Sequence, residues 1–235
     1  ALKLKSSIKV NTETGIKEIQ LCLGDITSLD VKDKVDIIMV SSFPGSYAAV
    51  PSTLIGALWS KYKLSVQKLS KDKAEDMRKH FHCWMSQELP SHLPYRRLLC
   101  FERSVRETLQ GVQLKSLDIV GEIFRALSTT LFNEEDRSVI TPLLATGCQN
   151  TPKWKMLRAM VNSCVSWMRA GMRLSKMTIV IFHKGSSKLS EDDNKAIAEF
   201  EKLKAKIEAE IKLITYDIIY DMYLSYTKED KDLVK

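Results

Sequence analysis

The sequence has no long apolar run, and its first residues do not resemble the signal peptide of a secreted protein. No stretch approaches the roughly 20 apolar residues that a membrane-spanning helix needs. Residues 1–5, Ala-Leu-Lys-Leu-Lys, lack the apolar core of a signal peptide. The five cysteines are odd in number and lie mostly within apolar runs, as reduced thiols of intracellular proteins do. We therefore expect a soluble protein of the cytoplasm or nucleus, with no membrane partner.

The sequence is equally short of motifs that identify a catalytic or metal centre. His80, His82 and Cys83 are neighbours, but no second ligand pair with zinc-like spacing follows them, so we expect no metal. No Gly-x-Ser-x-Gly turn suggests a serine hydrolase. Cys148 precedes a helix start, which favours its thiolate, but no base lies near it in the sequence. Catalytic residues therefore stay unidentified, and we expect no cofactor.

Positive charge is in excess, with 36 Lys and Arg against 29 Asp and Glu and a net charge of +7. This balance favours an anionic partner. The densest basic stretch, residues 61–84, is interleaved with aromatic residues, which would suit RNA. Asp72, Glu75 and Asp76 interrupt that stretch, so a solvated face with its own ion pairs is the alternative interpretation.

Strand and helix patterns alternate along most of the chain, without internal repeats. Strands are predicted at 16–23, 35–40, 96–101, 138–144, 177–182 and 211–217, and helices at 51–59, 61–85, 117–131, 151–170 and 190–210. This alternation predicts an α/β fold with a largely parallel sheet covered on both faces. We expect a single domain over 1–235, with a core of about 16–210, an extension of about 211–235, and one candidate insertion at 61–94.

Two strand-to-helix junctions, residues 40–46 and 144–152, are the most informative features of the sequence. In an α/β sheet such junctions lie at the carboxyl ends of strands, where the backbone N–H groups of helix starts carry partial positive charge. Two of them side by side form a crevice suited to a phosphate-bearing ligand. In the second junction, Thr151 is expected to cap the next helix and Pro152 to occupy its first turn, with amide groups facing the phosphate.

Two short motifs resemble macro domains, a family that binds ADP-ribose and related nucleotides. Gly24-Asp25-Ile26-Thr27 directly follows the first predicted strand, and Ile140 to Gly147 resembles the second half of that fold. The resemblance implies a three-layer α/β/α, mostly parallel mixed sheet with a C-terminal extension. It also implies that Asp25 accepts a hydrogen bond from the adenine amino group, although Asp25 could instead only cap the turn.

The same resemblance assigns the remaining candidate ligand contacts. The loop around Gly147 matches the second phosphate-binding loop. Phe182, at the end of a late strand, is expected to pack in the core, and stacking on a base or a distal ribose, as the family implies, is its alternative role. The candidate ligand-binding residues are Asp25, Ile26, Ser41, Ser42, Gly45, Ala145, Thr146, Gly147, Cys148 and Phe182.

The first loop departs from the family pattern. Ser41 and Ser42 stand where hydrolytic members carry asparagines, and Gly45 is the sole glycine between Ser42 and Gly56. Bulky Tyr47 lies where glycines would let a diphosphate approach bare backbone. These departures imply an altered pocket and make family-type hydrolysis doubtful.

Three functions follow from these patterns. The first is a binding module for ADP-ribose, a related adenine nucleotide or an ADP-ribosylated protein, with little catalysis. The second is a macro-like scaffold with a closed pocket that acts through protein or RNA contacts. The third is an ADP-ribosyl hydrolase with an atypical set of residues. An apolar stripe from Ile197 to Ile214 could in addition serve a homodimer, and the chain could belong to a larger multidomain protein.

Overall fold

One sheet organises the molecule in the computed structural model, which describes residues 2–102, 116–132, 135, 137–144, 146, 151–185 and 188–210. Its eight strands are β1 (Lys3–Thr12), β2 (Gly15–Gly24), β3 (Val35–Ser42), β4 (Lys73–Met77), β5 (Cys83–Ser86), β6 (Tyr95–Glu102), β7 (Arg137–Pro142) and β8 (Leu174–Phe182). The helices are α1 (Leu54–Tyr62), α2 (Val66–Leu69), α3 (Arg78–Phe81), α4 (Ser116–Leu131), α5 (Lys153–Arg169) and α6 (191–210). Short 3-10 turns span Ile26–Ser28 and Val31–Asp33.

The strand order is β1-β2-β8-β7-β3-β6-β5-β4. The inner strands β2, β8, β7, β3 and β6 run parallel, whereas β1 pairs antiparallel with β2, and β5 pairs antiparallel with both β6 and β4. The sheet is therefore mixed and mostly parallel, as the sequence predicts. Because the inner strands share one direction, their carboxyl ends meet at a single edge.

Side-chain alternation along β3 divides the core into two layers. Ile37 and Met39 face one side and pack with α4, α5 and α6, whereas Ile38 and Val40 face the other side and pack with α1 and α2. β3 is buried on both faces, which is why it reads in the sequence as an unbroken β-branched run. The predicted three-layer α/β/α architecture is thus confirmed.

The structure corrects three sequence predictions. β1 was not predicted, because its buried Ile8 and Val10 alternate with lysines at an exposed edge. The expected helix over 61–85 is instead two short helices and the strands β4 and β5, since antiparallel pairing next to β6 overrides local helix propensity. Pro152, without a side-chain hydrogen bond, occupies the position before α5, so Thr151 does not cap that helix.

Two further expectations concern the strand predicted near the end of the sequence and the absence of membrane-spanning helices. The strand predicted over 211–217 lies outside the described residues. Across the helices that the structure describes, none has the length and apolar character required to cross a membrane.

Candidate functional site

The parallel strands end at one edge of the sheet, and the candidate residues that the structure describes lie at or just after these strand ends. β2 ends at Gly24, β8 at Phe182, β7 at Pro142, β3 at Ser42 and β6 at Glu102. In the order of the sheet, the two strands that precede the predicted phosphate loops, β7 and β3, are direct parallel neighbours. Crevices at such edges are the usual ligand sites of α/β sheets.

Asp25 caps the turn that follows β2. Its Oδ1 accepts hydrogen bonds from the backbone N–H and the hydroxyl of Thr27, both at 2.8 Å. The turn is held from the other side by Tyr95, whose hydroxyl donates to the carbonyl of Ile26 at 2.8 Å. Among the described residues no donor contacts Oδ2 of Asp25, so the capping role leaves one carboxylate oxygen able to accept from a ligand.

Phe182 is exposed beside this turn. Its ring is 62% exposed, and the residue lies opposite Gly24 in the parallel register of β2 and β8. A backbone hydrogen bond of 3.2 Å from His183 to Gly24 holds the two strand ends together. The expectation that Phe182 packs in the core is therefore wrong, because the strand ends here and its last side chain faces solvent. We call Asp25 and Phe182 the base end of the site.

The loop after β3 begins with a tight turn rather than a glycine-rich cradle. The N–H of Ser46 donates to the carbonyl of Phe43 at 2.9 Å, and Pro44 and Gly45 occupy the centre of this turn. Gly45 has a φ of 70°, which a Pro-Gly turn requires, and a side chain added there would contact nothing within 4 Å. Gly45 thus allows the chain to turn, and among the described residues no neighbouring group requires a residue without a side chain here.

The same loop then packs closely on the start of α1. The hydroxyl of Thr53 donates to the carbonyl of Val50 at 2.7 Å and accepts from the N–H of Gly56 at 3.1 Å, which caps the helix. A Cβ on Gly56 would lie 2.0 Å from the Val50 carbonyl oxygen. Helix and loop therefore touch through bare backbone at this glycine.

The serines after β3 differ in environment. Ser41 is exposed, whereas Ser42 is half-buried and its hydroxyl lies 3.4 Å from the Cys100 sulfur. Burial raises the pKa of the Cys100 thiol to about 12. Of this pair, Ser41 presents its hydroxyl more readily to a ligand.

The loop after β7, which is the second predicted phosphate-binding loop, is described in part. Ala145, Gly147 and Cys148 lie outside the described residues, and Thr146 donates its hydroxyl to the carbonyl of Leu143 at 2.8 Å. The first backbone amide of α5 already has a partner, because the N–H of Lys153 donates to Asp192 Oδ2 at 3.2 Å. The expectation that α5 offers its first amide group to a phosphate is therefore wrong for Lys153.

A buried polar cluster at the ends of β3 and β6 was not foreseen from the sequence. Glu102 is 4% exposed, and its Oε1 accepts hydrogen bonds from the Tyr47 hydroxyl and the Trp84 indole N–H. The rings of Tyr47 and Trp84 meet edge to face with centroids 5.8 Å apart. Burial, with the neighbouring Glu102 carboxylate, raises the pKa of Tyr47 to about 12. We call Tyr47, Trp84 and Glu102 the far end of the site.

Several cations of the basic stretch contact partners within the chain. Lys61 donates to the carbonyl of Thr27, and Lys63 lies 5.9 Å from the centroid of the Trp59 ring. Arg78 donates to both carboxylate oxygens of Asp76, at 2.7 and 2.5 Å. Of these contacts only Arg78–Asp76 is an ion pair, and its residues are two positions apart at the end of β4 rather than four apart on one helix face. Both interpretations of the stretch, contact with RNA and a solvated face, stay predictions.

Metal-binding side chains do not cluster in the described part of the chain, where no group of three His, Cys, Asp or Glu is placed to hold an ion. His82 instead pairs with Glu122, with Nδ1 and Oε2 3.1 Å apart.

Comparison with known proteins rests on structure, since neither a family sequence profile nor a curated protein matches this chain by sequence. The Oceanobacillus iheyensis macrodomain with ADP is 13% identical, with a TM-score of 0.60 over 88% of this chain and 99% of that chain. The same macrodomain with MES bound is 15% identical, with a TM-score of 0.58 over 86% and 98%. The Trypanosoma brucei macrodomain in complex with ADP is 14% identical, with a TM-score of 0.53 over 77% and 68%. At these identities the likeness shows the fold, and the chain is a divergent example of the macrodomain fold.

Proposed function

We propose that this protein is a binding module for ADP-ribose or a related adenine nucleotide, either free or attached to a protein. The observation that carries the proposal is the base end, where Asp25 follows β2 and the exposed Phe182 ends its parallel neighbour β8. The strand edge is the usual place for a nucleotide in such sheets. Two solved macrodomains of similar fold hold ADP, which supplies an adenine and a diphosphate.

At the base end, chemistry supports an adenine. A carboxylate oxygen accepts a hydrogen bond from an exocyclic amino group, and such a charge-assisted bond is stronger than a neutral one. Oδ2 of Asp25 is suited to this role because Thr27 occupies only Oδ1. The solvent-facing ring of Phe182 offers a stacking surface for the base.

The phosphates would lie farther along the edge, between the loops that follow β7 and β3. The hydroxyl of Ser41 and the backbone at Gly45 would contact them from one side. The loop containing Ala145, Thr146, Gly147 and Cys148 would contact them from the other. Because a Pro-Gly turn replaces a run of glycines in the first loop, we expect a weaker hold on the diphosphate and binding without efficient hydrolysis.

Isothermal titration with ADP-ribose, ADP, AMP and GDP tests this function, and the chain provides a matched control. Asp25 and Asp30 each cap a 3-10 turn with the side chain. Asp25→Ala and Asp30→Ala should each cost about 1 kcal/mol of stability through the lost cap. Only Asp25→Ala should weaken adenine nucleotides, by tenfold or more. In a thermal melt, ligand at a hundredfold excess over Kd should stabilise the wild type by about 2.7 kcal/mol.

Equal affinity of the Asp25 and Asp30 variants, or no response to any adenine nucleotide, would refute the proposal. RNA binding that weakens steeply with salt, without a nucleotide response, would instead support the scaffold with a closed pocket. Release of ADP-ribose from a modified protein would support the hydrolase.

A further inference from the structure

A small cleft lies at the opposite edge of the sheet from the candidate functional site. The amino ends of β3, β6 and β7 form it together with the last turn of α4. Its volume is about 20 Å³, which is room for little more than one water molecule. Between Asp36 at this edge and Ser42 at the other edge, β3 extends over about 20 Å. The cleft is therefore separate from the place proposed for a nucleotide.

Three arginines line the cleft, and two of them have a carboxylate partner. Arg96 donates to Glu88 Oε1 from Nε at 2.9 Å and from Nη2 at 2.8 Å. Arg137 Nη1 lies 3.4 Å from Asp36 Oδ1. Each of these two charges is therefore balanced by a carboxylate of the same chain.

Arg97, the third arginine, has no such partner among the described residues. Its Nε is inaccessible to solvent and makes no hydrogen bond there. Its two terminal nitrogens likewise make no hydrogen bond or ion pair with another described residue, and both are accessible from the cleft that Arg97 lines. A partly buried cation without a counter-ion is unfavourable, and an anion from outside the chain relieves this cost.

The other polar groups of the cleft are occupied. Asp36 Oδ2 accepts from the backbone N–H and the hydroxyl of Ser138, at 2.9 and 2.8 Å, while its Oδ1 faces Arg137. The hydroxyl of Thr130 donates to carbonyls of its own helix, at 3.1 and 3.0 Å. The remaining lining side chains are apolar. Arg97 is therefore the group in this cleft that is suited to hold a ligand.

The size of the cleft and the shape of a guanidinium limit what can bind. A nucleotide or a sugar is too large for about 20 Å³. A planar carboxylate pairs with a guanidinium through two parallel N–H···O bonds, and it is flatter than a tetrahedral phosphate. One oxygen can enter the cleft while the other stays at its mouth, where Arg96 and Arg137 are partly exposed. A single negative charge also matches the single unpaired cation.

We propose that this cleft is a second binding site, which takes one carboxylate group on the guanidinium of Arg97. The carboxylate belongs to a small organic acid or to an acidic side chain of a partner protein, because both present the same two oxygens. Two charge-assisted hydrogen bonds of this kind correspond to a Kd on the order of 1 mM for an isolated carboxylate. The site is independent of nucleotide binding at the other edge.

Titration with sodium acetate, followed by NMR of the arginine Nε–H signals, tests the site. The variants are Arg97→Met and, as a control, Arg158→Met, which removes an arginine paired with Glu199 on the surface of α5 and α6. The signal that Arg97→Met lacks should shift in the wild type and in Arg158→Met, with a Kd on the order of 1 mM.

Thermal melts give a second readout of the same variants. Acetate at about a hundredfold excess over Kd should raise the wild-type Tm by about 5 °C or more, relative to sodium chloride of equal ionic strength. Arg158→Met should respond as the wild type does, whereas Arg97→Met should show no rise. In chloride Arg97→Met should be at least as stable as the wild type, because the side chain has no hydrogen bond to lose within the described residues.

Further probes distinguish the source of the carboxylate. A capped tetraglutamate peptide that binds at least tenfold more tightly than acetate would identify an acidic protein segment, and equal affinity would identify a small acid. Inorganic phosphate should bind more weakly than acetate. ADP should leave acetate affinity unchanged, and a protein that binds acetate but not ADP would refute the proposed function and keep this site.

Three results would overturn the proposal. The first is a wild type that does not respond to acetate, which would assign the cleft to a bound water molecule. The second is an acetate response that persists in Arg97→Met or that ADP abolishes. The third is tighter binding of phosphate than of acetate.

Discussion

The two ends of the candidate site are built in opposite ways. At the base end, Asp25 is half-buried and Phe182 is 62% exposed, so both side chains can reach a ligand. At the far end, Tyr47, Trp84 and Glu102 are almost completely buried and bonded to one another. The difference shows that the side chains of the base end are open to solvent, whereas the far end is an integral part of the hydrophobic core.

The largest expected effect comes from the far end. Trp84→Ala removes a fully buried ring and a donor to Glu102, and should cost about 3–5 kcal/mol of unfolding free energy. Trp59, on the same side of the sheet but 42% exposed, is the control, and Trp59→Ala should cost far less. Urea unfolding measures both variants. Equal losses would contradict the assignment of Trp84 to the core of the far end.

The loop that leads to the far end provides the second prediction. Gly56→Ala places a methyl group against the Val50 carbonyl and should destabilise the protein by about 1–3 kcal/mol. Gly121, in α4, has open space around it, so Gly121→Ala should stabilise by about 0.5–1 kcal/mol through helix propensity. Thermal melts of the two variants should therefore shift in opposite directions, and shifts of the same sign would be inconsistent with close loop packing at Gly56.

Acid should loosen the contact between α5 and α6, in which Lys153 pairs with Asp193. Burial acts to raise the pKa of Asp193, but hydrogen bonds from Lys153 and Ser190 outweigh it and lower that pKa below its ordinary value. A lowered pKa stabilises the fold above the ordinary value of about 4, and this stabilisation is lost as the pH falls through the folded-state pKa. Asp193→Asn should therefore lower the free energy of unfolding by on the order of 1 kcal/mol at neutral pH and leave it unchanged in strong acid.

Urea midpoints across this pH range measure the effect of Asp193→Asn. The exposed Glu191, which pairs with Lys195 on the surface of α6, supplies the control. Glu191→Gln should leave the dependence of the urea midpoint on pH unchanged. A loss for Asp193→Asn that is independent of pH would show that the carboxylate charge is not responsible.

The smallest effect on stability is expected at the base end itself. Phe182→Ala and Phe132→Ala each remove an exposed ring, and each should change stability by less than about 0.5 kcal/mol. Only Phe182→Ala should weaken an adenine nucleotide, by about tenfold or more, because the loss of one stacking contact is of that size. Parallel calorimetric titrations compare the two variants. Equal affinities would remove Phe182 from the site.

Much of the fold could be predicted from local sequence. β3 and β8 are buried on both faces, so their apolar runs are unmistakable, and α4 shows helical spacing throughout. β1 and β4 could not be predicted in this way. Both are edge strands rich in charged residues, and their conformation depends on pairing with β2 and β5.

The two ends of the site also differed in how well sequence could predict them. The Gly24–Thr27 motif is contiguous, so Asp25 could be placed at the end of β2 without a structure. Glu102 stands 55 residues from Tyr47 and 18 from Trp84, and nothing local indicates that these donors meet it. The one available signal, a carboxylate that closes the apolar strand β6, is too common to be diagnostic.

The pairing of β2 with β8 has a consequence for biosynthesis. Gln20 and Thr178, which meet across these strands, are 158 residues apart in the sequence. Contacts between residues so far apart in the sequence form slowly, because a long loop must close before the strands can pair. A nascent chain emerging from the ribosome can pair β3 with β6 early, but its first hairpin must wait for β8 before it joins the sheet. Strands that wait this long for a partner are exposed to aggregation during synthesis, so we expect the β1–β2 hairpin to need chaperone protection until β8 is made.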